Sequence, residues 1–224
     1  MKVNEADGAA RAVLWDVDGT LIDSAEYHWL TWRETLLGEG YALTRAEFNA
    51  SFGQRNDEIL RGYFGVGLEA AEVARIGDAK EERYRELVRA RGIEPLPGVR
   101  RWLGKLKTEG WRQAIASSAP RLNLDAILKA LGLEDFFDAI ASAEDVSRGK
   151  PDPQIFLSAA AKVSVPPQRC VVVEDAPAGT EAARRAGMRR VGVLSSHGAL
   201  EADVVVSSLA ELPDDTFDQL LLRR

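Results

Sequence analysis

Two aspartates spaced i and i+2, Asp16 and Asp18, follow the apolar run Ala12-Val13-Leu14-Trp15 and precede Gly19-Thr20. Leaving an extended chain, that spacing puts both carboxylates on one side, and Gly19 lets the backbone turn sharply after them. Carboxylates that close repel by several kcal/mol at moderate dielectric. A bound cation or a shared proton offsets this; an ordinary Asp-Gly surface turn is the plainer alternative. A second acidic pair, Glu174-Asp175, closes the run Val171-Val172-Val173. Unpaired carboxylates at the end of a buried strand are costly, and Mg2+ suits one or two carboxylates plus water and phosphate. Ser117-Ser118-Ala119 follows Ala114-Ile115-Ala116; a hydroxyl among backbone amides holds a phosphate oxygen or caps a helix. Lys150 lies in Arg148-Gly149-Lys150-Pro151-Asp152-Pro153, stiffened by prolines ahead of a helical stretch. A cation there is unfavourable unless an anion is present, with a solvated lysine as the alternative. Taken together, acid pairs, hydroxyls and a lysine are what phosphoryl transfer needs: oxygens neutralised by metal, cationic and hydrogen-bonding grips, and a placed nucleophile.

These groups need elements to bring them together. Short, largely β-branched or aliphatic runs recur at 12–15, 114–116, 139–141, 171–173, 191–194 and 204–206, the pattern of strands buried on both faces. Helical patterns at 97–109, 122–131, 153–163 and 177–187 alternate with them. The expected fold class is therefore α/β, a doubly wound, mostly parallel, Rossmann-like sheet whose ligands sit beyond the strands' carboxyl ends. Between the first two strands, residues 24–92 read instead as successive helices, 25–37, 45–51, 57–63 and 68–90, the last expected to have an exposed, charged face. Asp23-Ser24 is an N-cap signal, and Ile93-Glu94-Pro95-Leu96-Pro97-Gly98 is a Pro/Gly-rich return. The expected division is a catalytic core of 1–22 and 94–224 and an inserted helical cap of 23–93.

The 224 residues carry a net charge of -6 and are 46% hydrophobic, enough for a sizeable core. An acidic chain is not built to neutralise nucleic-acid phosphates, so anionic ligands must be drawn by local cations. The single cysteine, Cys170, allows no intrachain disulfide and no thiolate metal cage. No stretch approaches the ~20 apolar residues of a bilayer span, and Met1 to Arg11 has no apolar signal region; the expectation is a cytoplasmic monomer with no nucleic-acid or membrane partner. Gly65-Val66-Gly67-Leu68-Glu69-Ala70 fits a dinucleotide-binding pattern on paper, but it lies within the helical insert and follows no strand.

With Asp16-Val17-Asp18-Gly19-Thr20, Ser117, Lys150 in Gly149-Lys150-Pro151-Asp152-Pro153, and Glu174-Asp175 in this order and spacing, the chain resembles the haloacid dehalogenase superfamily in its helical-cap branch. Asp23 to His28, with Trp32 beyond, resembles its β-phosphoglucomutase-like and phosphoglycolate-phosphatase-like members. The resemblance implies that Asp16 becomes phosphorylated and that Asp18 is the general acid and base. It implies Mg2+ held by Asp16, the Asp18 carbonyl and Asp175, with Glu174 orienting water or pairing with Lys150, and Ser117, Ser118 and Lys150 on the phosphoryl group. It also implies substrate contacts from the cap, with Arg55 gripping a distal acidic group and His28 near the hinge, and Trp29 and Trp32 in the cap core. The implied activity is that of a phosphatase of a small phosphorylated metabolite such as a sugar phosphate or phosphoglycolate. The alternatives are a sugar phosphomutase of the same fold and, from another class, a non-catalytic phosphate-binding protein. Pro120-Arg121 stands where mutase members tend to carry Lys-Asn, and Asp18 argues against a metal-free dehalogenase.

Overall fold

The computed structural model describes residues 10–222; most of the stretch Met1 to Arg11 read above for a signal region lies outside them. Six strands, β1 (Ala12–Trp15), β2 (Arg112–Ala116), β3 (Ala139–Ala141), β4 (Cys170–Glu174), β5 (Arg189–Val193) and β6 (Val204–Val206), form one sheet in the order β3-β2-β1-β4-β5-β6. Every pairing is parallel. From β1 the chain first builds outward through β2 and β3, then returns to the other side of β1 with β4. The switch point therefore lies between the carboxyl ends of β1 and β4, where an open α/β sheet leaves its ligand crevice.

Both faces of the sheet are covered. Val13, Trp15, Val171 and Val173 pack on one side with Trp102 of α5 (Val99–Thr108) and Phe217. Leu14, Val172, Ala114 and Ala116 pack on the other with Phe156 of α7 (Gln154–Lys162). Helices α6 (Arg121–Leu131), α8 (Pro177–Arg185) and α9 (Thr216–Leu222) complete the core. The short apolar runs marked the strands, but β2 and β5 each begin earlier, at Arg112-Gln113 and Arg189-Arg190. Gln113 is tolerated inside because its amide is satisfied at both ends, accepting from Trp15 Nε1 at 3.1 Å and donating to the Leu103 carbonyl at 3.0 Å.

Between β1 and α5 come α1 (Ala25–Gly38), α2 (Arg45–Ser51), α3 (Asn56–Phe64) and α4 (Ala70–Arg91). They enclose an apolar cluster of their own that includes Trp32, Leu36, Phe48, Leu60 and Ile76, with Trp29 against it. The two connections to the core run side by side: Ile22 bridges to Pro95, and Leu96 N–H donates to the Leu21 carbonyl at 2.8 Å. Helix α4 has the expected exposed, charged face, with Glu72, Arg75, Glu82, Glu86 and Arg89 toward solvent, and a buried stripe opposite it. Tyr84 and Val88 pack into the core cluster with Trp102, so α4 spans both apolar units. The Gly65 segment caps the end of α3 and follows no strand.

Candidate active site

Beyond β1 the ladder continues for one residue: Asp16 N–H donates to the Val173 carbonyl at 3.0 Å, leaving Asp16 7% exposed at the switch point. The chain then winds around the Val17 carbonyl, which accepts from Thr20, Leu21 and Ile22. Gly19 sits at φ 82°, and a Cβ there would overlap the Asp175 carboxylate. Both facts require glycine, so the turn after Asp18 is shaped to let Asp175 close in.

Acidic side chains from the two strand ends do converge. Oxygens of Asp16, Glu174 and Asp175 lie within 4.8 Å of one another. Lys150, on the segment before α7, reaches Asp16 Oδ1 at 2.7 Å and Glu174 Oε1 at 2.5 Å. The other Glu174 oxygen accepts from the backbone N–H groups of Asp175 and Ala176 at 2.8 and 2.7 Å, so Glu174 is fully engaged in holding Lys150 and the β4 turn. Asp16 Oδ2 has no hydrogen-bond donor among the described residues. Burial, with Glu174 and Asp175 nearby and Lys150 opposing, raises the Asp16 carboxyl well above the ordinary carboxylate range. Burial, with Glu174, also pushes Asp175 up to about 7. Lys150 stays charged: burial works against its charge, and Asp16 and Glu174 outweigh burial and raise it above the usual lysine value. Two crowded carboxyls that resist their own ionisation, Asp16 and Asp175, with a Glu174 oxygen close by, are a donor set suited to a hard divalent cation.

Asp18 faces the cap side of the same cavity. It accepts from Ser24 Oγ at 2.5 Å and lies 3.2 Å from His28 Nε2. The other ring nitrogen of His28 is 2.9 Å from Lys80 Nζ. An ammonium only donates, so Nδ1 accepts and Nε2 carries the proton that Asp18 receives. Burial would raise the Asp18 carboxyl, but its interaction and hydrogen bond with His28, with the Ser24 hydroxyl and the Lys80 charge, hold it below the ordinary range. Lys80 in turn bonds Glu81 Oε1 at 2.7 Å, and Glu81 accepts from Asn56 at 2.8 Å and from Asn123 of the core at 2.5 Å. The imidazole stacks on Tyr84 at 4.3 Å and 16°. Lys80 and Glu81 are 1% and 4% exposed. Neither was picked out in the sequence, although Val73, Gly77, Lys80, Tyr84 and Val88 share one helical stripe, which was the available signal.

Ser117 is buried, its Oγ accepting from Ala119 N–H at 3.1 Å. It does not cap α6, whose first position follows Pro120; its hydroxyl and Ser118 line the same cavity as Asp16, Asp18, His28, Lys150 and Asp175. His197, also unforeseen, lines it too, donating from Nδ1 to the Asp175 carbonyl at 3.1 Å.

Arg55 departs from expectation. It grips no part of this cavity: its guanidinium donates to the carbonyls of Ala143 and Val146 at 2.6 and 3.0 Å and to Asp57 at 3.0 Å. The loop after β3 exposes carbonyls beside the start of α3, and a planar multi-donor group satisfies several at once. Arg55 thus ties the cap to the core. Glu58 adds to this by accepting from Gly149 N–H at 3.2 Å.

Comparisons with known proteins place the chain in a family. The model of the haloacid dehalogenase-like hydrolases matches residues 10–187. The chain is 37% identical over 209 residues to a β-phosphoglucomutase of Bacillus subtilis, covering 90% of this chain and 91% of that protein. It is 33% identical over 214 residues to hexitol phosphatase B of Escherichia coli, covering 90% and 93%. Among solved structures, a mutant CbbY from Rhodobacter sphaeroides in complex with xylulose-(1,5)bisphosphate superposes with a TM-score of 0.83 at 29% identity, covering 91% and 96%. The chain belongs to the haloacid dehalogenase-like hydrolase family and is an enzyme of its phosphatase kind.

Proposed function

We propose that the protein is a Mg2+-dependent phosphatase of a small sugar phosphate, working through an acyl phosphate of Asp16. The observation that carries this is the Asp16 carboxylate: one oxygen is fixed by Lys150 at 2.7 Å, and the other has no donor among the described residues and sits among the strand-end acids. Asp16 and Asp175, with the Asp18 carbonyl, would hold Mg2+, which would neutralise phosphate oxygens. Lys150 and Ser117, with Ser118 beside them, hold the phosphoryl group. Asp16 attacks phosphorus and the bond to the leaving oxygen breaks; Asp18, ionised at rest, takes up a proton from the phosphate monoanion as the substrate binds and passes it to that oxygen. The Asp18 carboxylate so formed is stabilised by the His28–Lys80 pair. Water then attacks phosphorus, gives its proton to Asp18, and frees Asp16 and inorganic phosphate. The cap, tied down by Arg55 and Glu58, shields the step from bulk water. No helix among the described residues is long and apolar enough to cross a membrane.

The test is release of inorganic phosphate from fructose and hexitol phosphates with and without Mg2+. Turnover requiring the metal is expected, with none in Asp16→Asn and phosphate retained on the Asp16 peptide of acid-quenched wild type. Full activity in Asp16→Asn refutes the assignment. The 37% identity to a β-phosphoglucomutase favours a second reading, transfer back to the sugar. Pro120, lining the cavity where a cation would be needed, weighs against it. Glucose 1-phosphate with a bisphosphate primer separates the two: an isomer means mutase, and free phosphate alone means phosphatase.

A further inference from the structure

The cap side of the cavity meets whatever the substrate carries besides its transferable phosphate, and its charges are already committed. Five carboxylates line the cavity, Asp16, Asp18, Glu81, Glu174 and Asp175, against two lysines. Lys150 is held by Asp16 and Glu174 at 2.7 and 2.5 Å. Lys80 is held by Glu81 at 2.7 Å and by His28 at 2.9 Å. Arg55, between the lining residues Gln54 and Asn56, turns outward to the carbonyls of Ala143 and Val146. What the cap presents to the open space is uncharged: Asn49, Ser51 and Gln54, beside the rings of Phe48 and Phe52.

We infer that the substrate is a monophosphate of an uncharged sugar or polyol and that a second phosphate is disfavoured. This rests on the phosphatase reading above. One divalent ion offsets two of the five carboxylates, and the two lysines offset two more. The single dianionic phosphate brought to the metal then leaves no net positive charge for another. A second phosphate on the cap side finds no uncommitted lysine or arginine among the described residues that line the cavity, while Asp18 and the negative balance remain, and like charges set together give exclusion. Amide and hydroxyl groups match sugar hydroxyls, and aromatic faces pack on the sugar's C–H surface. The cavity holds about 250 Å³, just under the roughly 300 Å³ of the smallest usual ligand sites, which favours a small ligand.

The experiment compares kcat/KM for phosphate release, with Mg2+, from fructose 1-phosphate, fructose 6-phosphate and fructose 1,6-bisphosphate, with an aryl phosphate alongside. The better monophosphate is expected to exceed the bisphosphate by at least about tenfold. A bisphosphate used as well or better overturns the inference while leaving the phosphatase reading in place. Turnover of the aryl phosphate but of no sugar phosphate overturns it too. No turnover of any of the four sinks the phosphatase reading and this inference with it. In Arg55→Ala the ratio of bisphosphate to monophosphate is expected to stay within about twofold of wild type, whatever happens to overall rate. A ratio that falls well beyond that means Arg55 reaches a second phosphate, against the inference.

Discussion

Replacing Asp175 with Asn tests whether the strand-end carboxylates are as crowded as the geometry makes them. In the metal-free protein burial and Glu174 raise Asp175 from 3.8 to about 7. A carboxyl raised on folding keeps its proton in the folded state after the unfolded chain has released it. Stability therefore falls as pH rises through that window, and levels off above it. The span from 3.8 to about 7 is worth about 4 kcal/mol at about 1.4 kcal/mol per pH unit. Between pH 5 and 8 the loss is about 2 to 3 kcal/mol. With a urea m-value of about 2 to 3 kcal/mol/M, that moves the unfolding midpoint down by about 1 M. Asp16, raised in the same direction, adds to the slope. The assay is urea unfolding in EDTA at pH 5 and pH 8. Wild type is expected to lose about that much more than Asp175→Asn does, and saturating Mg2+ is expected to abolish the wild-type loss by binding the ionised form. Parallel pH profiles for the two proteins in EDTA would refute the crowding, and with it the physical ground for a metal there.

Lys80→Met removes one partner of a buried ion pair, leaving Glu81 charged and 4% exposed; urea unfolding is expected to show a loss of about 3 to 5 kcal/mol. Adding Glu81→Gln to it should recover part of that, with a coupling above about 1 kcal/mol, and strict additivity would mean the pair does not interact. Gly19→Ala puts a side chain at φ 82° and into the Asp175 carboxylate. It is expected to cost at least about 1 kcal/mol of stability and to abolish the rise in Tm that Mg2+ gives wild type, as read by thermal melts with and without the ion.

The sheet was legible because its strands are buried on both faces and so appear as unbroken apolar runs, such as Val171-Val172-Val173 between Leu14 of β1 and the helices. Where a strand begins with polar residues held by particular partners, as at Gln113, the run gives no warning, because the satisfying groups come from Trp15 and Leu103. The juxtaposition of Asp16 with Glu174, Asp175 and Lys150 was legible for a related reason. Each follows or flanks a strand end, and a parallel sheet collects its strand ends on one edge. What was not legible sits across the joint between cap and core, where partners such as Glu81 and Asn123 are far apart in sequence and no strand end marks them.

Two cations show how that joint is decided. In sequence Lys80 lies in a helix dense with charge and looks solvated, while Arg55 lies in a Gly-flanked turn and looks free to reach a ligand. In the structure they exchange places. Lys80 is buried because one small region supplies every compensation an ammonium needs: a carboxylate at 2.7 Å, an imidazole nitrogen at 2.9 Å, and the faces of Trp32 and Tyr84 at 5.0 and 5.5 Å. Arg55 is drawn away because the loop after β3 offers carbonyl oxygens that a fork of donors fits. The exchange has a chemical consequence. Lys80, through His28, sets the charge felt by Asp18, while Arg55 fastens the cap near the loop that carries Lys150. The cap therefore touches the surroundings of both carboxylates of the first turn: Asp18 directly through the buried His28, and the segment that carries Lys150 through Glu58, which accepts from Gly149 N–H.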